Sequence, residues 1–371
     1  MDVSLEIRDT IILHVTKKSD VASLCRVCKA FRHSAELALY NTLIIRERDV
    51  AVNIAETVAN HPQISDLVEA ITVSPDINTN GADSSQNVTC DDSLDAFWRS
   101  ISRILHYTPR LRHLNLQTST NPSTSWILQG CTFQLESFTC DLAWDAPLVL
   151  FLEKQADIRD LYLADFAESA QTLPSLSPLA CPRLTIFECP IFASVPAFVS
   201  GRPITHLKTY WVASHESMAI PRFLRSLQFS LAIIRSIDVV DLDCSEEFSI
   251  EWLSLVAESP AIANLRYAGT LVLPIREQAG FAFLTTMLYL YAALMRFLNI
   301  SAIALDVSQW YPSPVSPVAM RALANEVHLY QPSITRILFV HGDDDYSMAE
   351  NIGGNFTTEG TTFGEDLWRE I

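Results

Sequence analysis

One short pattern recurs along this chain from Val68 onward: an apolar residue, two of any kind, an apolar, one of any kind, an apolar. It reads Val68-x-x-Ile71-x-Val73, Leu111-x-x-Leu114-x-Leu116, Leu135-x-x-Phe138-x-Cys140, Ile158-x-x-Leu161-x-Leu163 and Leu184-x-x-Phe187-x-Cys189. It continues as Ile204-x-x-Leu207-x-Thr209, Ile234-x-x-Ile237-x-Val239, Ile262-x-x-Leu265-x-Tyr267, Ile300-x-x-Ile303-x-Leu305 and Ile334-x-x-Ile337-x-Phe339. The last two apolar positions are two residues apart, so they share one side of an extended strand. No single run buries that side alone; stacking does. Helical spacing fills several gaps between the runs, most clearly over 95–105, 251–256 and 318–329. Proline stands one or two residues before the first apolar position at Pro109, Pro182, Pro203, Pro260 and Pro332. There it ends a helix and biases its predecessor to extended geometry. The predicted unit is helix, proline stop and short strand, with starts about 20 to 43 residues apart.

This arrangement resembles a leucine-rich-repeat array. The resemblance implies an α/β repeat over 46–341: an irregular solenoid of short parallel strands alternating with helices. Strand alternation sends the residues between the apolar positions to the concave side. They include His113, Asn115, Asp160, Tyr162, Glu188, His206, Lys208, Tyr210, Asp238, Arg266 and Arg336. Aromatic, histidine, arginine and carboxylate side chains in such a mixture suit a protein-binding surface, so these are the candidates for holding a target protein. The array departs from the standard pattern in its irregular spacing and in mostly lacking the asparagine that follows the strand.

Three bursts of helical spacing precede the array. Ile7, Ile11, Ile12 and Val15 mark the first; Val21, Leu24, Val27, Cys28 and Phe31 the second; Ala35, Ala38, Leu39, Thr42 and Leu43 the third. Asp20 stands where an N-cap of the second helix is expected. Three helices in about forty residues are marginal alone and lean on a neighbour. Glu6-Ile7, Asp20-Val21, Leu24, Val27-Cys28-Lys29, Phe31-Arg32 and Leu39-Tyr40-Asn41-Thr42-Leu43 resemble the F-box of large fungal families. Where that family has Leu-Pro, this chain has Val3-Ser4. The resemblance implies a three-helix F-box over 1–45. It also implies that Ile7, Ile11, Leu24, Val27, Cys28 and Phe31 dock the small acidic adaptor of a cullin–RING ubiquitin ligase.

Charge sharpens the expectation about partners. The chain carries a net −17, yet residues 1–48 hold eight Lys and Arg against six Asp and Glu, a net +2. The remainder is therefore −19, which argues against a nucleic-acid partner. A mildly basic N-terminal module suits an acidic protein. Eight cysteines with no signal peptide read as reduced thiols in the cytoplasm and/or nucleus. Residues 278–295 are uncharged, and a buried helix between repeats accounts for them better than a membrane span. Residues 75–93 read as an exposed acidic loop. Residues 342–371 read as a mobile acidic tail, with Phe356, Phe363 and Trp368 as its docking residues.

Chemistry-bearing motifs are weak. Cys25-x-x-Cys28 has no second ligand pair for zinc, and core packing accounts for it. Asp343-Asp344-Asp345 lacks the offsets of a calcium loop, and His215-Glu216 lacks the second histidine of a zincin helix. Neither a cofactor nor a metal is expected, and the chain is not expected to be an enzyme. The expectation is a substrate-recognition subunit of a cullin–RING ligase. The alternative is a repeat scaffold for protein interaction whose F-box-like helices only cap the array.

Overall fold

The computed structural model describes residues 5–75, 90–118, 122–164, 175–212, 219–260, 263–274, 281–342, 345–361 and 364–371. They fall into two compact units, Met1–Cys181 and Pro182–Ile371. Val3-Ser4, His215-Glu216, Asp343, Asp344 and most of the expected loop at 75–93 lie outside the described residues.

The first unit opens with helices α1 (Leu5–Leu13), α2 (Lys18–Val27) and α3 (Lys29–Tyr40). Their small core is Ile12, Val21 and Ala35, with Leu24, Cys25 and Phe31 partly buried against it. Three expectations are corrected here. Asp20 does not cap α2: the helix starts two residues earlier, and Lys17 precedes it without a side-chain cap. The second helix does not reach Phe31, because Cys28 is extended at φ −161° and ψ 162° and hands the chain to α3. The third burst ends at Tyr40, and Thr42 and Leu43 belong to a strand, β1 (Thr42–Ile45). Tyr40-x-x-Leu43-x-Ile45 is the repeat pattern once more, so the boundary drawn at residue 45 falls after the first strand of the sheet.

The unit continues through α4 (Arg48–Asn60), α5 (Pro62–Ser65), β2 (Ala70–Val73), α6 (Cys90–Tyr107), β3 (His113–Leu116), β4 (Ser137–Cys140), α7 (Ala146–Leu152) and β5 (Asp160–Leu163). Helix α6 takes in the last residues assigned to the acidic loop. All five strands are parallel and in unbroken register. Leu43, Ile71, Leu114, Phe138 and Leu161 form one buried row, and Ile45, Val73, Leu116, Cys140 and Leu163 the next. Each full burial of such a side chain contributes ~1.5–3 kcal/mol, which is why this face packs on the helices.

The second unit contains β6 (Ile186–Cys189), α8 (Val195–Val199), β7 (His206–Trp211), α9 (Ala219–Ser226), β8 (Ser236–Asp241), α10 (Glu246–Glu258), β9 (Tyr267–Val272), α11 (Phe281–Leu294), β10 (Ala302–Asp306), α12 (Pro317–Tyr330) and β11 (Arg336–Gly342). Ser245 caps α10 by accepting from the Phe248 N–H at 3.2 Å, and Ser316 caps α12 the same way from Ala319. Aromatic rings fill the space between strands and helices: Phe192 stacks on Phe223 at 4.4 Å, and Trp211 on Phe248 at 5.2 Å. Helix α11 carries the uncharged segment. It buries Met287, Leu290, Tyr291 and Leu294 and exposes Leu284, Leu288 and Tyr289. No helix among the described residues is long and apolar enough to cross a membrane.

Every repeat run becomes a strand where expected except Ile262-x-x-Leu265-x-Tyr267. There the strand begins at Tyr267, and Ala268 takes the core position opposite Ile237. Gly269 bulges out, so that Ala268 and Thr270 oppose the adjacent Ile303 and Ala304. A Cβ on Gly269 would stand 2.1 Å from Asp238 Oδ1 and 2.5 Å from the Asp238 Cα, so only glycine fits.

The stretch read as a mobile acidic tail is ordered where it is described. Strands β12 (Asp345–Ile352) and β13 (Asn355–Thr361) add an antiparallel hairpin to β11. Gly353 and Gly354 both hold positive φ, +63° and +93°, as a two-residue hairpin turn requires. A 3-10 turn, Gly364–Arg369, follows. Alternation explains how an acidic stretch forms strands: residues such as Glu350 occupy one face while Ala349 and the expected docking residue Phe356 are buried on the other.

Candidate functional site

The three N-terminal helices leave apolar side chains uncovered. Ile7 is 55% exposed, Ile11 41% and Val27 66%, and Cys28 is exposed as well. Leu24 and Phe31 are instead half-buried against the Ile12–Val21–Ala35 core. Of the six residues expected to dock an adaptor, four are thus open and two hold the helices together.

In the first unit, the residues between the core positions form the polar side of the sheet. His113, Ser137 and Asp160 lie side by side on β3, β4 and β5, and Asn115, Thr139 and Tyr162 form the next row. His113 is exposed and the others are half-buried.

The equivalent side of the second unit is built differently. Glu188, Lys208 and Asp238 are neighbours on β6, β7 and β8. Lys208 Nζ lies 3.6 Å from Glu188 Oε1, with both side chains nearly buried. The Tyr210 hydroxyl donates to the same carboxylate at 3.4 Å. The backbone N–H of Thr270, delivered by the bulge at Gly269, donates to Asp238 Oδ1 at 2.8 Å, and Tyr267 donates to Oδ2 at 3.5 Å. Burial pushes the Asp238 carboxyl above the usual carboxylate range, while Lys208 and the Thr270 N–H pull the other way. Burial, then the neighbouring Asp238, drives the Tyr267 phenol well above its ordinary value. Burial lowers His206, helped by the charges of Arg235 and Arg369. Asp238 is therefore no open contact residue, being only 3% exposed. Arg266 lies just before β9 rather than within it, a consequence of the shifted run.

A cavity of about 370 Å³ opens beside this row, lined by Lys208, Tyr210, Asp238, Asp306, Val340 and Tyr346 among others. Next to it the sheet is apolar. Tyr267, Ala302, Ala304 and Leu338 lie under Leu367 and Trp368, with Ile186, Tyr346 and Met348 at the rim. Arg369 reaches back to Glu188 Oε2 at 2.8 Å, and Arg336 pairs with Glu370 at 3.4 Å. Residues 364–371 thus cover the part of this face formed by Tyr267, Ala302, Ala304 and Leu338. Trp368 was the sequence signal for this cover, an indole in an otherwise acidic stretch.

Among the described residues no group of three or more His, Cys, Asp or Glu is placed to hold a metal ion. Cys25 lies in the last turn of α2 and Cys28 directly precedes α3, and burial raises the Cys25 thiol, so Cys25 is not poised as a thiolate. No protein-family model and no curated protein sequence matches the chain.

Proposed function

We propose that the chain is the substrate-recognition subunit of an SCF-type cullin–RING ubiquitin ligase. Its N-terminal helices bind the adaptor, and its repeat solenoid holds a target protein. The observation that carries this reading is the exposure of Ile7, Ile11 and Val27 on a helical module that has its own small core of Ile12, Val21 and Ala35. Exposed aliphatic side chains on a mildly basic three-helix unit are what an acidic adaptor needs. The chain performs no bond chemistry in this role. It supplies proximity between the target and a ubiquitin-loaded enzyme.

The test is co-purification of the full chain with a fungal ligase adaptor and cullin, beside a Val27→Asp variant. Val27 is the better probe than Phe31, because Phe31 also packs inside the module. Capture by wild type and loss in the variant is the expected result; no capture at micromolar concentration overturns the proposal.

One observation favours the alternative, a repeat scaffold capped by F-box-like helices. Helix α3 runs into β1 within two residues, and β1 is the edge strand paired to β2. Under that reading, removing residues 1–40 lowers the thermal midpoint of the remaining array. Under the first it does not.

A further inference from the structure

Residues 364–371 occupy the sheet face of Pro182–Ile371 in the manner of a bound peptide. The face beneath them is specialised. Ala302 and Ala304 are successive outward positions on β10, and their small side chains leave a trough between Tyr267 on β9 and Leu338 on β11. Leu367 and Trp368 fill it and are 2% and 1% exposed. Just beyond, Glu188 takes the Arg369 guanidinium, which also lies 4.5 Å from the centre of the Trp368 ring. The face therefore recognises three adjacent side chains: an aliphatic, an indole and a guanidinium.

The way the segment is held differs from the way a strand is held. Its backbone bond runs within itself, from the Glu370 N–H to the Leu367 carbonyl at 3.2 Å. Side chains make the contacts to the sheet described above: Leu367 and Trp368 in the trough, Arg369 on Glu188 and Glu370 on Arg336. Moreover, the buried Trp368 Nε1 has no hydrogen-bond partner among the described residues. A buried donor left unmade weakens its own docking. A segment attached through Leu367, Trp368, Arg369 and Glu370, one of them incompletely satisfied, can be exchanged for a better one.

We infer that this face is the docking site for a partner protein carrying an exposed aliphatic–aromatic–arginine segment, and that residues 364–371 are its internal competitor. The inference rests on the target-binding half of the proposed function and is independent of adaptor binding. A tethered segment competes at an effective concentration in the millimolar range. The partner's apparent affinity is reduced by the fraction of molecules whose face is open.

The experiment uses the full chain and a fluorescein-labelled peptide with the sequence of residues 364–371, read by fluorescence anisotropy. A Trp368→Gly, Arg369→Glu double variant frees the face in cis. It is expected to bind the peptide at least about tenfold tighter than wild type does. Adding Glu188→Lys to that variant is expected to remove the gain. A double variant that keeps its cooperative unfolding transition but binds no tighter than wild type overturns the inference. So does binding that ignores Glu188→Lys. So does a double variant that no longer folds, because a segment the fold cannot spare cannot be exchanged. Adaptor capture, read on the N-terminal helices, separates these failures from a failure of the ligase reading.

Discussion

Between the core positions of β3, β4 and β5, Met1–Cys181 places His113, Asn115, Thr139, Asp160 and Tyr162, side chains that tolerate water. At the equivalent positions Pro182–Ile371 places Tyr267, Ala302, Ala304 and Leu338, which do not, and it covers them with its own residues 364–371. The strand pattern is the same in both units. The difference lies in the residues that the pattern leaves free. An apolar residue there creates a surface that something must cover, whereas a polar one leaves the sheet side open. Among the described residues the first face is polar and uncovered, and the second is covered by residues 364–371.

Two tryptophans give the largest test of that contrast. Trp98 on α6 and Trp368 in the covering segment are equally buried, each 1% exposed. Trp98 is fixed in an eighteen-residue helix with its ring edge-on to Phe97 at 5.1 Å. Trp98→Ala is expected to cost ~3–5 kcal/mol, the range for a core indole. Trp368→Ala is expected to cost at most ~2 kcal/mol. The segment can leave the sheet, so its loss is capped by its local docking free energy. Urea denaturation of both variants reads the difference. Equal costs would make residues 364–371 as integral as α6 and erase the distinction.

Gly269→Ala comes next and concerns only the second unit. The ladder of the first unit has no bulge, whereas that of the second closes on Asp238 so tightly that a Cβ meets its backbone. Backbone cannot rotate away, so the cost is expected near the top of the overpacking range, ~3 kcal/mol. A Gly269→Ala chain with an unchanged denaturation midpoint would mean that the bulge is not needed to bring the Thr270 N–H to Asp238.

Sequence alone located most of this and missed it in instructive places. The strands were legible because each core row needs apolar residues two apart, and nothing else in a chain with few glycines forces that spacing. β1 was hidden by its position: Tyr40-x-x-Leu43-x-Ile45 overlaps the end of a helical burst, so two periods compete for the same residues. β9 was misplaced by three residues because its core position is Ala268, too small to stand out, and the bulge at Gly269 breaks the alternation. At the candidate site, the polar face of the first unit followed directly from alternation. The covered face did not, because whether an outward residue meets water depends on residues 364–371, far away in sequence. Asp238 looks like a contact residue on its strand and becomes a buried carboxylate only when Tyr267 and Thr270 arrive.

That buried carboxylate sharpens the comparison through pH. Asp238 has its folded pKa raised above its unfolded value. Its contribution to stability is therefore complete below the unfolded carboxylate range and is lost as pH rises through the folded pKa. Asp238→Asn keeps an acceptor for the Thr270 N–H and removes the titration. The stability of the variant relative to wild type is expected to increase from pH 4 to pH 8, read by urea midpoints at each pH. A difference that stays constant across that range would mean that Asp238 does not titrate differently in the folded chain.

The smallest expected effects separate the two faces at the level of single polar residues. His113 is exposed on the open face, and His113→Ala should change stability by less than ~0.5 kcal/mol, as surface substitutions do. Lys208 occupies a comparable position on β7 but shares the nearly buried Glu188 carboxylate with Arg369. Removing one of the two cations leaves that carboxylate held by Arg369 and the Tyr210 hydroxyl. The cost of Lys208→Ala is then expected to be ~1 kcal/mol, above that of an exposed pair and well below that of an abandoned buried charge. The sign of the coupling is the informative part. If Arg369 truly docks on Glu188, Lys208→Ala and Arg369→Ala made together should cost more than the sum of the single changes, because the second removal strips the carboxylate of its last cation. Strict additivity in this cycle would place Arg369 away from Glu188 in solution and leave the segment held by Leu367 and Trp368.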